Sequence, residues 1–319
     1  MLIKTKYITS VIAAGLVPMQ SNASIDTDLL AGMKARTIGP AATSGRISDV
    51  EAVISNPNII YATAASGGVW KSVNAGLNWQ PIFDKQDYAS TGAIAINQAT
   101  PDILWVGTGE GNVRNSVSIG GGIYKSIDAG KTWQKMGLEH TEHINRIALH
   151  PTNPDIVYVA TGSDIYKTIN GGITWSLNYT TAGTVEQFYI HRSTPSNVYA
   201  ATADGLYMTL DDGASWSVIY DARCWDIEAH AVNPDILFLS VHNAGAKRAE
   251  IFKSIDAGTT WVLKDTDWYI PTDFGVATDI GCKIGVTPAD PDRIYACLIG
   301  DSKSDDNGWI GVYYSEDGA

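Results

Sequence analysis

The residues of this chain best suited to chemistry are carboxylates in three segments between predicted strands: Glu110, Glu142 and Asp226. Two carboxyl groups about 5 to 10 Å apart can hydrolyse a glycosidic bond, one as the acid and the other as base or nucleophile. Loop carboxylates are also commonly hydrated or paired with a cation, so both interpretations stay open. His143 is a candidate general base or metal ligand, although a histidine beside a strand start is often only hydrogen-bonded.

Side chains that could hold a polymer lie in the same kind of segment. Aromatic rings on loops stack on sugar rings or pack against peptide side chains, and arginines bind carboxylates. The tryptophans among them could equally belong to a packed core. We predict a ligand-binding surface that includes Arg46, Tyr88, Arg114, His143, Trp225 and Trp268.

Neither a metal nor a nucleotide cofactor is indicated. The cysteines, Cys224, Cys282 and Cys297, lack CxxC or Cys/His spacing. The glycine-rich segments 107–111 and 118–122 precede strands rather than helices and lack a P-loop lysine. A disulfide between Cys282 and Cys297 and a set of buried free thiols are both compatible with the sequence.

A repeated turn supplies the scaffold that must position these residues. The pattern Ser/Thr-x-Asp/Asn-x-Gly-x-x-Trp occurs five times and begins again at Ser315, with roughly 40 to 60 residues between copies, the repeat length of a four-stranded propeller blade. The Asp or Asn can accept backbone N–H bonds while the Gly adopts a positive φ. Site chemistry is seldom copied into every repeat. We therefore predict a structural role in this turn, the Asp box, for Asn74, Asp128, Asn170, Asp211, Asp256 and Asp317.

Strand signals surround each box. A Pro-containing turn and an aromatic strand precede it, as in Pro154 followed by Val157 and Tyr158, and no segment keeps a 3.6-residue apolar period. We predict an all-β fold, a β-propeller of four-stranded antiparallel blades with Asp-box turns, about six blades represented and the last incomplete. After residues 1–23 it spans 24–319, with blades at roughly 44–84, 89–137, 143–180, 184–221, 224–264 and 278–319.

The strand order decides which loops form a binding face. If each Asp box joins the third and fourth strands of its blade, the second-to-third loops and the blade-to-blade connections lie at the opposite end. The candidate site residues fall in these two sets of loops, as do the long insertions 110–120, 265–278 and 301–308. Long loops on a rigid scaffold usually carry specificity, so we expect the ligand on this loop face.

The N-terminus has the features of a cleaved secretory signal peptide over residues 1–23. Lys4 and Lys6 precede an apolar run over 8–18, and residues 21–23 fit a cleavage site. We therefore expect a secreted, periplasmic or cell-envelope protein; an uncleaved interfacial anchor is the alternative. No later segment has the roughly 20 consecutive apolar residues that a membrane-spanning helix needs.

At its Asp boxes the sequence resembles the BNR/Asp-box propellers, a group that includes sialidases, xyloglucan-cleaving glycoside hydrolases and sortilin (VPS10)-type receptors. It also resembles exported bacterial proteins labelled sortilin-like or glycosyl hydrolase, through the segments Ile38–Pro40, Ser44–Ile47, Ala65–Lys71 and Gly107–Glu110. Such relatives are usually much longer. Because the sequence stops within the sixth Asp box, we expect an N-terminal fragment of a longer chain; closure of the ring by an N-terminal strand near Ala35–Ile38 is the alternative.

The enzymes of this group can be compared residue by residue. In the xyloglucanases a catalytic Asp precedes Gly-Gly in a Tyr-Ala-x-x-Asp-x-Gly-Gly pattern, and Ala65 occupies that position here. Alanine can neither donate a proton nor activate water. The Arg-Ile-Pro signature of sialidases is missing from the sequence.

These comparisons favour an exported binding module that recognises a polypeptide or a polysaccharide on its loop face. A glycoside hydrolase, xyloglucanase-like or sialidase-like, with catalytic residues incomplete in this chain is the alternative, and an assembly factor for an envelope complex is a third. The chain has 22 Lys and Arg against 34 Asp and Glu, a formal net charge of −12. Such a charge repels phosphate backbones, so no nucleic-acid partner is expected.

Overall fold

β-Strands form the regular structure throughout the part of the chain that the computed structural model describes, residues 46–111, 117–243, 248–264, 281–300, 308–316 and 318. They form six sheets, each built from consecutive antiparallel strands, and all belong to one unit, Gly45–Ala319. Five sheets have four strands and the sixth has three in the described residues. The predicted all-β propeller of about six blades is therefore confirmed.

In blades 1 to 5 the first strand packs against the first strand of the blade that follows. Blade 1 contains β1 (Ile47–Ala52), β2 (Ile60–Ala64), β3 (Gly68–Ser72) and β4 (Gln80–Pro81). Blade 2 contains β5 (Thr91–Ile96), β6 (Leu104–Thr108), β7 (Ile123–Ser126) and β8 (Gln134–Lys135). Blade 3 contains β9 (Arg146–Leu149), β10 (Val157–Thr161), β11 (Asp164–Thr168) and β12 (Ser176–Thr180).

The remaining blades follow in the same way. Blade 4 contains β13 (Val185–Ile190), β14 (Val198–Thr202), β15 (Leu206–Thr209) and β16 (Ser217–Tyr220). Blade 5 contains β17 (Cys224–Ala229), β18 (Leu237–Asn243), β19 (Arg248–Ser254) and β20 (Val262–Leu263). Blade 6 contains β21 (Gly281–Val286), β22 (Ile294–Gly300) and β23 (Gly308–Ser315).

Hydrophobic cores lie between successive blades rather than within them. The aromatic residue of the second strand is central to each of the five, because it points toward the following blade. These rings are at most 1% exposed: Tyr61, Trp105, Tyr158, Tyr199 and Phe238. Burying a large side chain contributes about 1.5 to 3 kcal/mol, so the contacts between blades carry much of the stability.

A lysine on the third strand of a blade contacts the Asp box of the blade that follows. The Lys71 ammonium lies 5.2 Å from the centroid of the Tyr61 ring and donates a hydrogen bond of 3.0 Å to the Ala129 carbonyl. Equivalent contacts recur in three more blades, made by Lys125, Lys167 and Lys253. The ammonium thus gains a ring face and a carbonyl at the same time, which offsets its partial loss of water.

Hydrogen bonds within the Asp box explain its residue types. The Ser126 hydroxyl donates to Asp128 Oδ1 at 2.8 Å and accepts the Gly130 N–H at 2.9 Å, while the Thr132 N–H donates to Asp128 Oδ1 at 2.8 Å. Gly130 has φ 85°, a left-handed conformation that favours glycine. The same bonds form around Asn74, Asn170, Asp211 and Asp256, whereas Asp317 lies outside the described residues.

Candidate functional site

A cavity of about 540 Å³ opens at the junction of blades 2 and 3. Its walls come from the β6–β7 loop, the connection from blade 2 to blade 3, the β10–β11 hairpin and the connection from blade 3 to blade 4. Every one of these segments belongs to the loop face inferred from the strand order. The lining residues are Glu110, Gly111, Val117, His140, Thr141, Glu142, His143, Asn145, Thr161, Gly162, Asp164, Tyr166 and Thr184.

Glu110 is the buried acid of the cavity. Its side chain has no exposed surface, and its carboxylate accepts a hydrogen bond of 2.7 Å from Arg46 Nε while pairing with Arg46 Nη2 through the other oxygen. The same interaction raises the pKa of the Arg46 guanidinium above its usual value. Because Arg46 contacts both oxygens of the carboxylate, a substrate would have to displace the guanidinium to reach Glu110.

Glu142 is the open acid of the cavity, with a side chain that is 73% exposed. His143 Nε2 lies 4.0 Å from Glu142 Oε2 and carries a charge only if the imidazole is protonated. The structure therefore brings three of the predicted residues, Glu110, Glu142 and His143, to one cavity. Their environments differ, since one carboxylate is buried and paired and the other faces solvent.

An aromatic pair forms another part of the lining. His140 Nε2 and the Tyr166 hydroxyl are 3.2 Å apart, and the two rings meet edge to face with centroids 5.6 Å apart. Tyr166 lies on β11 and is half-buried against the core between blades 2 and 3. The hydrogen bond and the packing together fix the position of the ring.

Asn145 joins the two hairpins that enclose the cavity. Its Nδ2 donates to the Gly111 carbonyl at 3.2 Å, and its Oδ1 accepts the Gly162 N–H at 2.8 Å. Asp164, in the second hairpin, accepts a hydrogen bond of 2.6 Å from the Thr180 hydroxyl. Sequence reasoning did not single out Asn145, Asp164 or Tyr166. The loop-face rule could have found Asp164, because it begins the strand after a second-to-third turn.

Asp226 does not line this cavity; it lies between the inner strands of blades 5 and 6. Its side chain is 2% exposed and accepts the Ile284 N–H at 2.8 Å and the Ile227 N–H at 3.2 Å. Lys283 Nζ lies 3.7 Å from Asp226 Oδ1, the oxygen that also accepts the Ile227 N–H. These contacts connect one blade to the next, so Asp226 is held as part of the scaffold.

Two further predicted ligand residues that the structure describes, Tyr88 and Trp225, do not line this cavity. The Arg223 guanidinium covers the Trp225 ring at 3.8 Å from its centroid and pairs with Glu186 at 3.7 Å. The Tyr88 ring packs closely over Gly121, where an added Cβ would lie 2.1 Å from Tyr88 Cε2. Arg114 and Trp268 fall outside the described residues.

Acids on the inner strands β1 and β17 form a further group that sequence reasoning missed. Burial raises the pKa of Asp49, raises that of Glu51 to about 8 with help from the charge of Asp49, and raises that of Glu228 well above its usual value. A bulge precedes this stretch in both strands, which share the sequence Asp-Val/Ile-Glu. This repeated sequence is the signal from which the acids on the inner strands could have been predicted.

Among the described residues, no group of three or more His, Cys, Asp or Glu side chains is placed to hold a metal ion. The same part of the chain contains no apolar helix of the length that spanning a membrane requires. Cys224, Cys282 and Cys297 are free thiols. Cys282 pairs with Leu298 and Cys297 with Lys283, so the two cysteines point to opposite faces of blade 6 and do not form the disulfide considered above.

Comparison with known proteins agrees with this architecture. The family model described as sortilin, neurotensin receptor 3 matches residues 121–244. The GH74 xyloglucanase from Xanthomonas campestris superposes with a TM-score of 0.68 at 14% identity, over 89% of this chain and 45% of its own. YCF48 bound to D1 peptide gives a TM-score of 0.54 at 14% identity, over 85% of this chain and 82% of its own. A structure of the nidogen/laminin complex gives 0.51 at 11% identity, over 68% and 79%.

These similarities establish a propeller with a sortilin-like segment. A comparison with curated proteins finds no match. At identities of 11 to 14% the solved structures support the fold alone. The chain spans less than half the length of the xyloglucanase that it resembles.

Proposed function

We propose that this protein is a binding module that recognises a polypeptide on its loop face, in the cavity between blades 2 and 3. The observation that carries the proposal is the cavity itself. At about 540 Å³ it is within the range of roughly 300 to 1,000 Å³ that ligand sites occupy, and loops of neighbouring blades enclose it. Exposed Glu142 and the half-buried Tyr166 ring offer a ligand both charge and apolar surface.

The environments of the candidate catalytic acids support binding rather than hydrolysis. Glu110 is already paired with Arg46, and Asp226 serves as a hydrogen-bond acceptor between blades. Ala65, which replaces the xyloglucanase acid in the sequence comparison, is 1% exposed and donates its N–H to the Arg46 carbonyl. An acid and a base that both face one substrate would be needed for glycoside hydrolysis.

Structural neighbours are consistent with a polymer ligand of either kind. YCF48 was determined with a D1 peptide, and the nidogen/laminin structure is a complex of two proteins. The xyloglucanase has the higher TM-score and keeps a polysaccharide as the second candidate ligand. Export through the signal peptide at 1–23 is part of the same proposal, because it would place the module among extracellular or envelope polymers. N-terminal sequencing of the mature protein tests that part.

Parallel peptide and glycan arrays test the ligand, together with a hydrolysis assay on xyloglucan. A cavity-filling variant, Thr184→Trp, should abolish binding to the array features that the wild type recognises, because Thr184 lines the cavity. A matched control, Val232→Trp, places the same ring at an exposed turn outside the cavity and should bind normally. Peptide binding that Thr184→Trp leaves intact would refute the proposed site, and release of sugar from xyloglucan would refute the proposed class.

A further inference from the structure

Charge is distributed unevenly around the cavity between blades 2 and 3. Its described lining residues include the three acids Glu110, Glu142 and Asp164 but no lysine or arginine. Arg46 pairs with Glu110. Glu142 is 73% exposed with His143 Nε2 4.0 Å away, and Asp164 accepts a hydrogen bond from the neutral Thr180 hydroxyl, so both carboxylates keep oxygens that a ligand could use.

The Tyr166 ring adds a second feature that attracts cations. The face of an aromatic ring is electron-rich and binds an ammonium or guanidinium within about 6 Å of its centroid. Lysines of this chain make that contact in four blades, for example Lys125 at 4.8 Å from the Trp105 centroid. At Tyr166, by contrast, the ring lines an open cavity near two carboxylates, where a ligand could supply the cation.

We propose that the cavity accepts the side chain of a lysine or arginine from an extended polypeptide. This inference rests on the proposed function and names the chemistry of its ligand. Glu142 at the solvent-exposed wall and Asp164 on the β10–β11 hairpin would pair with the cationic head, and Tyr166 would contact the head or its aliphatic stem. A neutral glycan could offer these two carboxylates hydrogen bonds but no opposite charge.

The net charge of the protein favours the same ligand. With a formal net charge of −12, the chain attracts basic segments at long range and repels acidic ones. Such attraction alone would be spread over the surface. A specific site requires that the preference depend on the carboxylates of the cavity, and this dependence is what the experiment measures.

The test uses fluorescein-labelled nonapeptide pools in which the central residue is fixed as Arg, Lys, citrulline or Glu and the other positions are mixed. Fluorescence anisotropy gives the apparent affinity of the intact protein for each pool. We expect the Arg or Lys pool to bind at least about tenfold more tightly than the Glu and citrulline pools, the size of a cation–π contact plus a partly screened ion pair.

Two variants with equal change of charge separate the site from general attraction. Glu142→Gln/Asp164→Asn removes the cavity carboxylates and should reduce the ratio to about one. Asp102→Asn/Asp155→Asn removes two exposed acids from the opposite ends of blades 2 and 3 and should keep the ratio unchanged.

The assay distinguishes failure of the proposed cationic preference from failure of the proposed polypeptide site. Equal binding of the Arg, Lys, citrulline and Glu pools, still blocked by Thr184→Trp, would refute the cationic preference and leave the polypeptide site intact. A ratio lowered equally by both double variants would refute the role of the cavity carboxylates. Absence of any pool binding, with binding to glycans on the array, would overturn the polypeptide proposal and this inference together.

Discussion

The buried acid between blades 5 and 6 allows a direct test of scaffold against catalysis. Asp226 accepts the Ile284 N–H at 2.8 Å and the Ile227 N–H at 3.2 Å, and its side chain is 2% exposed. Replacing it with alanine leaves the Ile284 N–H buried without this acceptor. An unsatisfied buried donor costs about 1 to 3 kcal/mol, and a bond to a charged group is at the upper end. We expect Asp226→Ala to lose about 2 to 3 kcal/mol.

The loss of unfolding free energy in Asp226→Ala can be measured as a drop in melting temperature. For domains of roughly 150 to 250 residues, 1 kcal/mol corresponds to about 2 to 4 °C, so Asp226→Ala should melt about 5 to 10 °C below the wild type. Differential scanning calorimetry at neutral pH provides the value. Ligand binding at the cavity between blades 2 and 3 should be unchanged at a temperature where the variant is folded.

Asp49 provides a matched comparison for Asp226. It accepts the Val50 N–H at 2.9 Å and, across to blade 2, the Ile94 N–H at 3.0 Å, which is the same arrangement. Asp49→Ala should therefore lower the melting temperature by a similar amount. A melting temperature of Asp226→Ala within about 1 °C of the wild type, or a loss of ligand binding without loss of stability, would refute the assigned scaffold role.

Three further substitutions test other features of the fold. Burial raises the pKa of Glu51 to about 8, so between pH 4.5 and 8 the folded state keeps a proton that the unfolded chain releases. The stability of the wild type should therefore fall as pH rises from about 4.5 to 8. In thermal melts, the melting temperature of Glu51→Gln should depend less on pH over this range. Hydrogen bonds lower the pKa of Asp128 and Asp211 to about 2, so the stability that these carboxylates contribute is lost as pH falls from about 4 to 2. The double variant Asp128→Asn/Asp211→Asn should therefore lose less stability over this acidic range in the same melts. Gly107→Ala would place a methyl group 2.2 Å from Ile144 Cγ2 and should cost about 1 to 3 kcal/mol in chemical denaturation, a loss that Ile144→Ala in the same chain should partly relieve.

The repeat made the fold predictable from sequence. Blades 1 to 5 each repeat a buried aromatic such as Tyr158 on the second strand and a turn such as Ser126 to Trp133, and neither feature depends on distant parts of the chain. A repeated turn of this kind can be predicted from sequence because the same few residue types must hydrogen-bond the same backbone groups in each copy. The loop face followed from strand order alone.

The candidate site was only partly predictable, because its residues converge from two blades. Glu110 and Glu142 were found as loop acids, but the pairing of Glu110 with Arg46 joins residues 64 positions apart. The position of Tyr166 depends on how β11 packs against blade 2. Such distances are set by the angle between blades, which no local pattern specifies.

The acids of this propeller show that the surroundings of a carboxylate, rather than its presence on a loop, decide what it can do. Asp226 accepts hydrogen bonds from backbone N–H groups and Glu110 pairs with an arginine, so both already have partners that a substrate would have to displace. Glu142 is 73% exposed and lies in the same cavity as the aromatic ring of Tyr166. A ligand gains most free energy where it satisfies groups that the fold leaves in water but holds in place. The cation site proposed in the loop-face cavity follows from this argument, which is why the peptide pools with a central arginine or lysine are the first probes to apply.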